Sequence, residues 1–374
     1  MDRGPWTKWT PAVAAAAVVA AVAAGGTIAA GAGPDLPDRT PEEVLELATR
    51  HRVEGFSGHL EARMDLGLPP LPTEGAGEAG AQDGAQDGDA VDARLAEMVS
   101  LLSGTHRARV FADGHDRFRL QVLDGAEETD VVRNGGDLWV YDSARHRAAH
   151  ATVPDGTGPG EQPARSLPTP ERIADRVLAG ARDHSDLTVA EGTAEAGRAA
   201  YTLTVDPRTD QTLVESVRID VDAATGMPLG VHVHAVDHEA PVLSLAFTRF
   251  TAETPDAGLF RFRPPAGAAV EELDPGPASP RHPRSADRAP RAGHHPGGEV
   301  VGQGWDAVVV TDPEAVPEDL GGSAVLDRLA TPVEGGRLLA TPVLNVLVTD
   351  EGRVVAGAVP RQRLLDVAAG TGTE

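Results

Sequence analysis

Ile219-Asp220-Val221-Asp222-Ala223-Ala224-Thr225-Gly226-Met227-Pro228-Leu229-Gly230-Val231-His232-Val233 decides how this chain is read. Val217, Ile219 and Val221 alternate with polar residues, the backbone turns at Ala223-Ala224-Thr225-Gly226, and alternation resumes at Val231 and Val233. Period two around a glycine turn predicts a β-hairpin with one apolar and one polar face. The same period extends outward through Phe118, Leu120 and Val122, through Leu138 and Val140, and through Leu243, Leu245 and Phe247. A long antiparallel series with one apolar face must cover it with helices, a second sheet or a ligand.

Working outward, the pattern predicts strands over 56–66, 105–112, 117–123, 129–133 and 137–142, with Asn134-Gly135-Gly136 as a turn. Further strands are expected over 187–189, 199–205, 214–221, 229–236, 242–250 and 259–263, where Pro264-Pro265 stops the series. Three helices interrupt it. Thr40-Pro41-Glu42-Glu43 reads as a capping box with Pro at the first helical position. Leu95, Met98, Val99 and Leu102 give 91–102 one apolar side, and Thr169-Pro170-Glu171 opens a third helix.

With 374 residues there is room for one large unit and one small one. Residues 40–270 form the large unit and 300–370 the small one, with a Pro/Arg-rich linker over 271–299 that carries Arg281, Arg284, Arg288 and Arg291. Within the large unit, 66–90 is an acidic, Gly-rich insertion that contains two copies of Ala-Gln-Asp-Gly and is expected to be disordered. Residues 1–10 hold Arg3 and Lys8 and form a cytoplasmic N-region. The uncharged, Ala/Val-rich segment 11–33 reads as a cleaved signal peptide or a single membrane anchor. Either assignment puts the bulk of the chain outside the cytoplasm, at the cell membrane or secreted.

A net charge of −24 argues against nucleic acid as a partner, because phosphate binding needs a basic footprint. No cysteine is present, which excludes disulfides, thiolate metal sites, a cysteine nucleophile and a lipidated N-terminal cysteine. Lys8 is the only lysine among 33 basic residues, as a high-GC genome would produce. Gly75 to Gly80 matches G-x-G-x-x-G, yet it sits in the acidic insertion and not between a strand and a helix. Asp83, Asp87, Asp89 and Asp92 fail the EF-hand spacing and lack the closing glutamate. His232, His234 and His238 are spaced for zinc on a strand, but alternation puts the first two on the polar face, where histidine is an ordinary solvated residue. Gly55-Phe56-Ser57-Gly58-His59 is not a nucleophile elbow, and His238-Glu239 lacks the second zincin histidine. Trp139 and Tyr141 share one strand face and are expected to pack under the following loop.

Several pieces together resemble a known family: the Pro41-Glu42-Glu43-Val44-Leu45 helix, the Asn134 to Asp142 hairpin, Val221 to Leu229, and the closing Phe260-Arg261-Phe262-Arg263-Pro264-Pro265. Over residues 41–270 the chain is similar to LolA-like lipoprotein carriers and to the lipid-sensing domain of RseB (MucB)-type sigma-factor regulators. The resemblance implies an α+β fold, a curved antiparallel sheet forming an incomplete β-barrel capped by helices, with a small C-terminal α+β module added here. It also implies that lipid or lipoprotein acyl chains bind without catalysis between sheet and helices, with no metal and no cofactor. On that reading the ligand-binding concave face is Phe118, Leu120, Val122, Leu138, Val140, Val217, Ile219, Val221, Val231, Val233, Leu245 and Phe247. Transfer of an alkyl chain to such a face gains about 0.8 kcal/mol per methylene. The alternatives are an envelope-stress sensor holding a membrane anti-sigma factor through the C-terminal module, and a cell-envelope hydrolase. The partners expected are a lipid or acylated protein and a membrane protein, with no nucleic acid.

Overall fold

A computed structural model describes residues 36–51, 53–69, 87–114, 116–125, 127–152, 169–273, 294–295, 298–311, 313 and 316–370. The anchor-or-signal segment 11–33, the G-x-G-x-x-G match and most of the 271–299 linker lie outside the described residues. Among those described, no helix is long and apolar enough to cross a membrane.

Local chemistry sets the first element. The Thr40 hydroxyl accepts the Glu43 N–H at 3.3 Å and Glu43 Oε2 accepts the Thr40 N–H at 2.8 Å. Two otherwise orphaned donors are thereby satisfied and helix α1, Pro41–Thr49, begins there. It buries Val44, Leu45 and Ala48. Then follow β1 Gly55–Met64, α2 Asp87–Leu101, β2 Gly104–Asp113, β3 Arg117–Asp124, β4 Glu127–Asn134, β5 Asp137–Asp142, β6 Arg147–Thr152 and α3 Pro170–Ala181. The series continues with β7 Ser185–Glu195, β8 Arg198–Pro207, β9 Val214–Asp222, β10 Pro228–Ala235, β11 Leu243–Thr251 and β12 Ala269–Leu273.

These strands form one twelve-stranded sheet in the order β12-β6-β5-β4-β3-β2-β1-β11-β10-β9-β8-β7. Every pair is antiparallel except β12 beside β6. The two ends, β12 and β7, do not pair, so the sheet is curved without closing into a barrel. Its curl brings β7 into contact with β11 although three strands lie between them, as accumulated right-handed twist allows.

Four expectations change. Residues 259–263 are not a strand: Asp256 caps a 3-10 turn at Ala257–Phe260, and the chain then crosses the outer face. Arg119 fixes this strap by donating to the Leu259 carbonyl at 3.1 Å. The series does not stop at Pro264-Pro265, because β12 follows and pairs with β6. Strand β6 reads Arg-Ala-Ala-His-Ala-Thr, too alanine-rich to be recognised by propensity, and exists because β5 and β12 pair with both its edges. Helix α2 starts at Asp87, inside the stretch expected to be disordered.

The C-terminal residues build a second, seven-stranded sheet. Its strands are β13 His294–His295, β14 Gly298–Val301, β15 Val308–Thr311, β16 Thr331–Val333, β17 Gly336–Ala340, β18 Asn345–Thr349 and β19 Val354–Gly357. Their order is β13-β14-β15-β19-β18-β17-β16. Helices α4 Ala324–Leu329 and α5 Arg361–Ala368 accompany it, and Val308, Leu338, Leu347, Val355, Val359 and Leu364 form its core. It docks on the large sheet through specific bonds. The Leu213 N–H and the Thr212 hydroxyl both donate to the Ala358 carbonyl, at 2.8 and 2.9 Å. Trp305 Nε1 donates to Ser185 Oγ at 2.7 Å. Ser323 caps α4, its hydroxyl accepting the Leu326 N–H at 3.1 Å, and Asp92 on α2 supports that cap from across the boundary, accepting from the Ser323 hydroxyl and, at 3.1 Å, from the Ala324 N–H.

Two substitutions test these joints. Asp92→Ala is expected to lower stability in urea by about 1 kcal/mol through loss of its hydrogen bonds to the capped end of α4; an unchanged midpoint would show that these bonds carry no weight. Gly226 has φ +78°, and a Cβ there would lie 2.3 Å from the Leu47 carbonyl oxygen at the end of α1. Gly226→Ala should therefore destabilise by about 1–3 kcal/mol or more.

Candidate functional site

All twelve residues expected to face a ligand lie on the inner side of the large sheet, but in two different surroundings. Val217, Ile219, Val221 and Val231, with half-buried Val233, belong to a core that Val44, Leu45 and Ala48 of α1 and Ala174 and Leu178 of α3 close. These five are packing residues of a helix-covered core. Leu120, Val122, Leu138, Val140, Leu245 and Phe247, with half-buried Phe118, belong to the other core. There the buried side chains come from strands β1–β6 and β10–β12, plus Met227 in a turn. Among the described residues the helical regions lend it Ile173 of α3 and Leu102 just past α2, both partly buried. On α2 itself Ala96 and Val99 are buried while Met98 is 53% exposed. Among the described residues, this half of the inner face is covered mostly by the curled sheet itself.

The turn at one end of the face is tightly determined. Asp222 lies buried and accepts both Arg198 Nε and Nη2, at 2.7 and 2.8 Å, and also the Thr225 N–H and hydroxyl, at 2.9 and 2.5 Å. Burial works against its charge, yet the hydrogen bonds from Arg198 and Thr225 together outweigh it and hold the carboxyl below the usual aspartate range. These bonds fix the sharp bend that lets β10 return beside β9 and places Gly226 on α1.

The outer face is polar or aromatic. Trp139 stacks on His150 with centroids 4.3 Å apart, and Phe262 lies 5.5 Å from Trp139 and 5.8 Å from Tyr141. The two aromatics of β5 therefore pack beneath the Phe-x-Phe strap, which joins two sequence pieces of the family resemblance into one contact. Under it Arg119 pairs with buried Asp130 at 2.6 Å.

Clefts formed by described residues include one of about 560 Å³ between the two sheets, lined by His184, Arg208, Glu299, Trp305, Asp306 and Arg363. Another lies over α1 at Glu43, Leu47, Arg50 and Thr225, and another on the polar face at Thr193, Thr202, Glu215 and Arg218. None of these is lined by the twelve inner-face residues.

The three histidines do not converge. His238 contacts the Val236 carbonyl, and His234 is buried, with burial first and then Arg218 and His232 disfavouring its protonation. His232 instead turns to Asp220, with Nε2 3.0 Å from Oδ2, and Glu195 completes a group whose ligand atoms all lie within 4.8 Å. Burial first, then Asp220, pushes the Glu195 carboxyl up to about 7. Neither acidic partner is recognisable from sequence, because strand register alone brings them to His232. Of the four aspartates weighed for calcium, Asp83 is outside the described residues and Asp92 is committed to supporting the cap of α4.

A pH experiment isolates the turn. With its folded pKa below the unfolded value, Asp222 contributes stability that is complete above about pH 4 and is lost as pH falls through the lowered folded value. Asp222→Asn should flatten that acid limb in chemical denaturation and cost about 1–3 kcal/mol at neutral pH by leaving buried donors unmatched.

No family model and no curated protein matches this sequence. Solved structures do. The MucA/MucB complex of Pseudomonas aeruginosa matches at 17% identity and TM-score 0.43, covering 88% of this chain and 96% of that one. A LolA superfamily protein from Nitrosomonas europaea matches at 11% identity and TM-score 0.22, covering 60% and 99%. A putative outer membrane lipoprotein-sorting protein domain from Vibrio parahaemolyticus matches at 9% identity and TM-score 0.21, covering 57% and 91%. All three matches lie below 25% identity and below a TM-score of 0.5.

Proposed function

We propose that this is an extracytoplasmic binding protein, without catalysis, that takes a lipid or lipoprotein acyl chain against the inner face of β2–β6. The observation that carries the reading is the uneven cover of that face. Among the described residues, two helices insert five buried side chains over β8–β10, whereas over β2–β6 the helical regions lend Ile173 and Leu102, both partly buried. An alkyl chain entering between α2 and the sheet gains about 0.8 kcal/mol per methylene buried. Phe118, half-buried on β3, packs at the margin of that core.

Native mass spectrometry with lipid extraction, on protein exported from a bacterial host, tests this. A bound mass that extracts as lipid is expected. Phe118→Arg should abolish it, and Arg109→Ser on the opposite face of β2 should not. A clean apo mass, unchanged after incubation with acylated peptides and phospholipid vesicles, would sink the proposal.

A sensor role is favoured by one further observation. Asp92 of α2 supports the cap of α4, so displacement of α2 by a ligand acts directly on the C-terminal sheet, the part suited to holding a membrane partner. Ligand loading should then reduce hydrogen-exchange protection over residues 323–329, while a pure carrier would show no change there.

A further inference from the structure

We infer that Glu195, Asp220 and His232 form a binding site for one divalent transition-metal ion of the zinc type, on the polar face of the large sheet. The site is assembled by register. Thr202 on β8, Asp220 on β9 and Gly230 on β10 stand side by side across three strands. His232, two residues beyond Gly230, projects to the same face. Glu195 ends edge strand β7, just before Ala196 and Gly197 turn the chain with φ of 53° and 75°. A register shift between Ala190 and Thr193 lets this end of β7 lean over, so that β7 touches β9 as well as β8.

The donors are one imidazole nitrogen and two carboxylate oxygens, a set zinc accepts with an open fourth position for water. Metal–ligand bonds of about 2.0–2.2 Å in a tetrahedron put ligand atoms about 3.3–3.5 Å apart. His232 Nε2 and Asp220 Oδ2 are 3.0 Å apart, and the whole group spans at most 4.8 Å, so modest rotation of the Glu195 side chain closes it. The Asp220 carboxylate is already oriented, because Thr202 donates to its other oxygen, Oδ1, at 2.5 Å. Such outer hydrogen bonds orient ligands and set affinity.

Two features separate this group from an ordinary surface cluster. Asp220 is only 7% exposed, and Glu195 and His232 are half-buried, so the carboxylates are not solvated acids. Gly230 also keeps the space between the donors open, since a Cβ there would lie 3.1 Å from both Asp220 Oδ2 and His232 Nε2. Nearby Arg198 is committed to Asp222. A bound ion would tie the hairpin end of edge strand β7 to β10, two strands inward from its partner β8.

The test uses the untagged full chain, stripped of metal and titrated with Co²⁺ and then Zn²⁺. One equivalent of Co²⁺ should produce the visible absorption of a tetrahedral nitrogen/oxygen site, and Zn²⁺ should displace it and raise the melting temperature. Glu195→Gln and Gly230→Ala should each weaken binding by about tenfold or more, and His238→Ala should leave it unchanged. Glu195→Gln is nearly isosteric and keeps the variant series informative even where His232→Ala fails to fold. Absence of the absorption in the parent protein, or binding indifferent to both Glu195→Gln and Gly230→Ala, overturns the proposal.

Discussion

The inner face of an open twelve-stranded sheet has to leave water, and three short helices are not enough to cover it. That constraint organises the molecule. Over β8–β10 the problem is solved conventionally, with α1 and α3 laid on valines, Ile219 and Leu203. Over β1–β6 the sheet curls until side chains of β10–β12 share a core with those of β2–β6. Ile173 packs against both cores and makes the interior continuous. Among the described residues, the second half is the one with the least helical cover.

Curling has consequences on the outside. A strongly bent sheet needs its convex face fixed as well, and here the fixing is polar and aromatic. The strap that follows β11 is anchored by Arg119, lays Phe262 on Trp139 and Tyr141, and delivers β12 to the outer edge of β6. On the other half, buried Asp220, Ser216, Ser244 and His234 occupy the face that alternation marks as wet. These side chains are removed from solvent by curvature and by the lean of β7, which is how an ordinary His-x-His strand acquires two carboxylate neighbours. The C-terminal sheet adds a further layer. It packs Trp305, Val343 and Ala358 against the helix-covered core and takes Asp92 as support for the cap of α4, coupling α2 to a sheet distant in sequence.

Much of this was legible in the residues. The capping box at Thr40, the strict period of Leu138-Trp139-Val140-Tyr141-Asp142 and the Ala-Ala-Thr-Gly turn each state a local preference that the tertiary structure keeps. The inner-face alternation was also readable, because side chains on a strand have nowhere to point but in or out. Strand β6 was not, since alanines carry no period and the strand depends on its two neighbours. The 259–263 stretch alternates like a strand but has no edge left to pair with where the chain passes, so its phenylalanines serve the core and the strap instead.

The sequence by itself determined the local elements, the hairpin order and which side chains face inward, because propensity, capping and period two act between residues close along the chain. Only the tertiary structure decided which inward residues are sealed by helices and which are covered mostly by the sheet. It also decided that Glu195 and Asp220 meet His232, and that Asp92 supports the cap of a helix more than two hundred residues away. Those outcomes depend on curvature and register, which sum small twists over many strands and leave no mark at any single position.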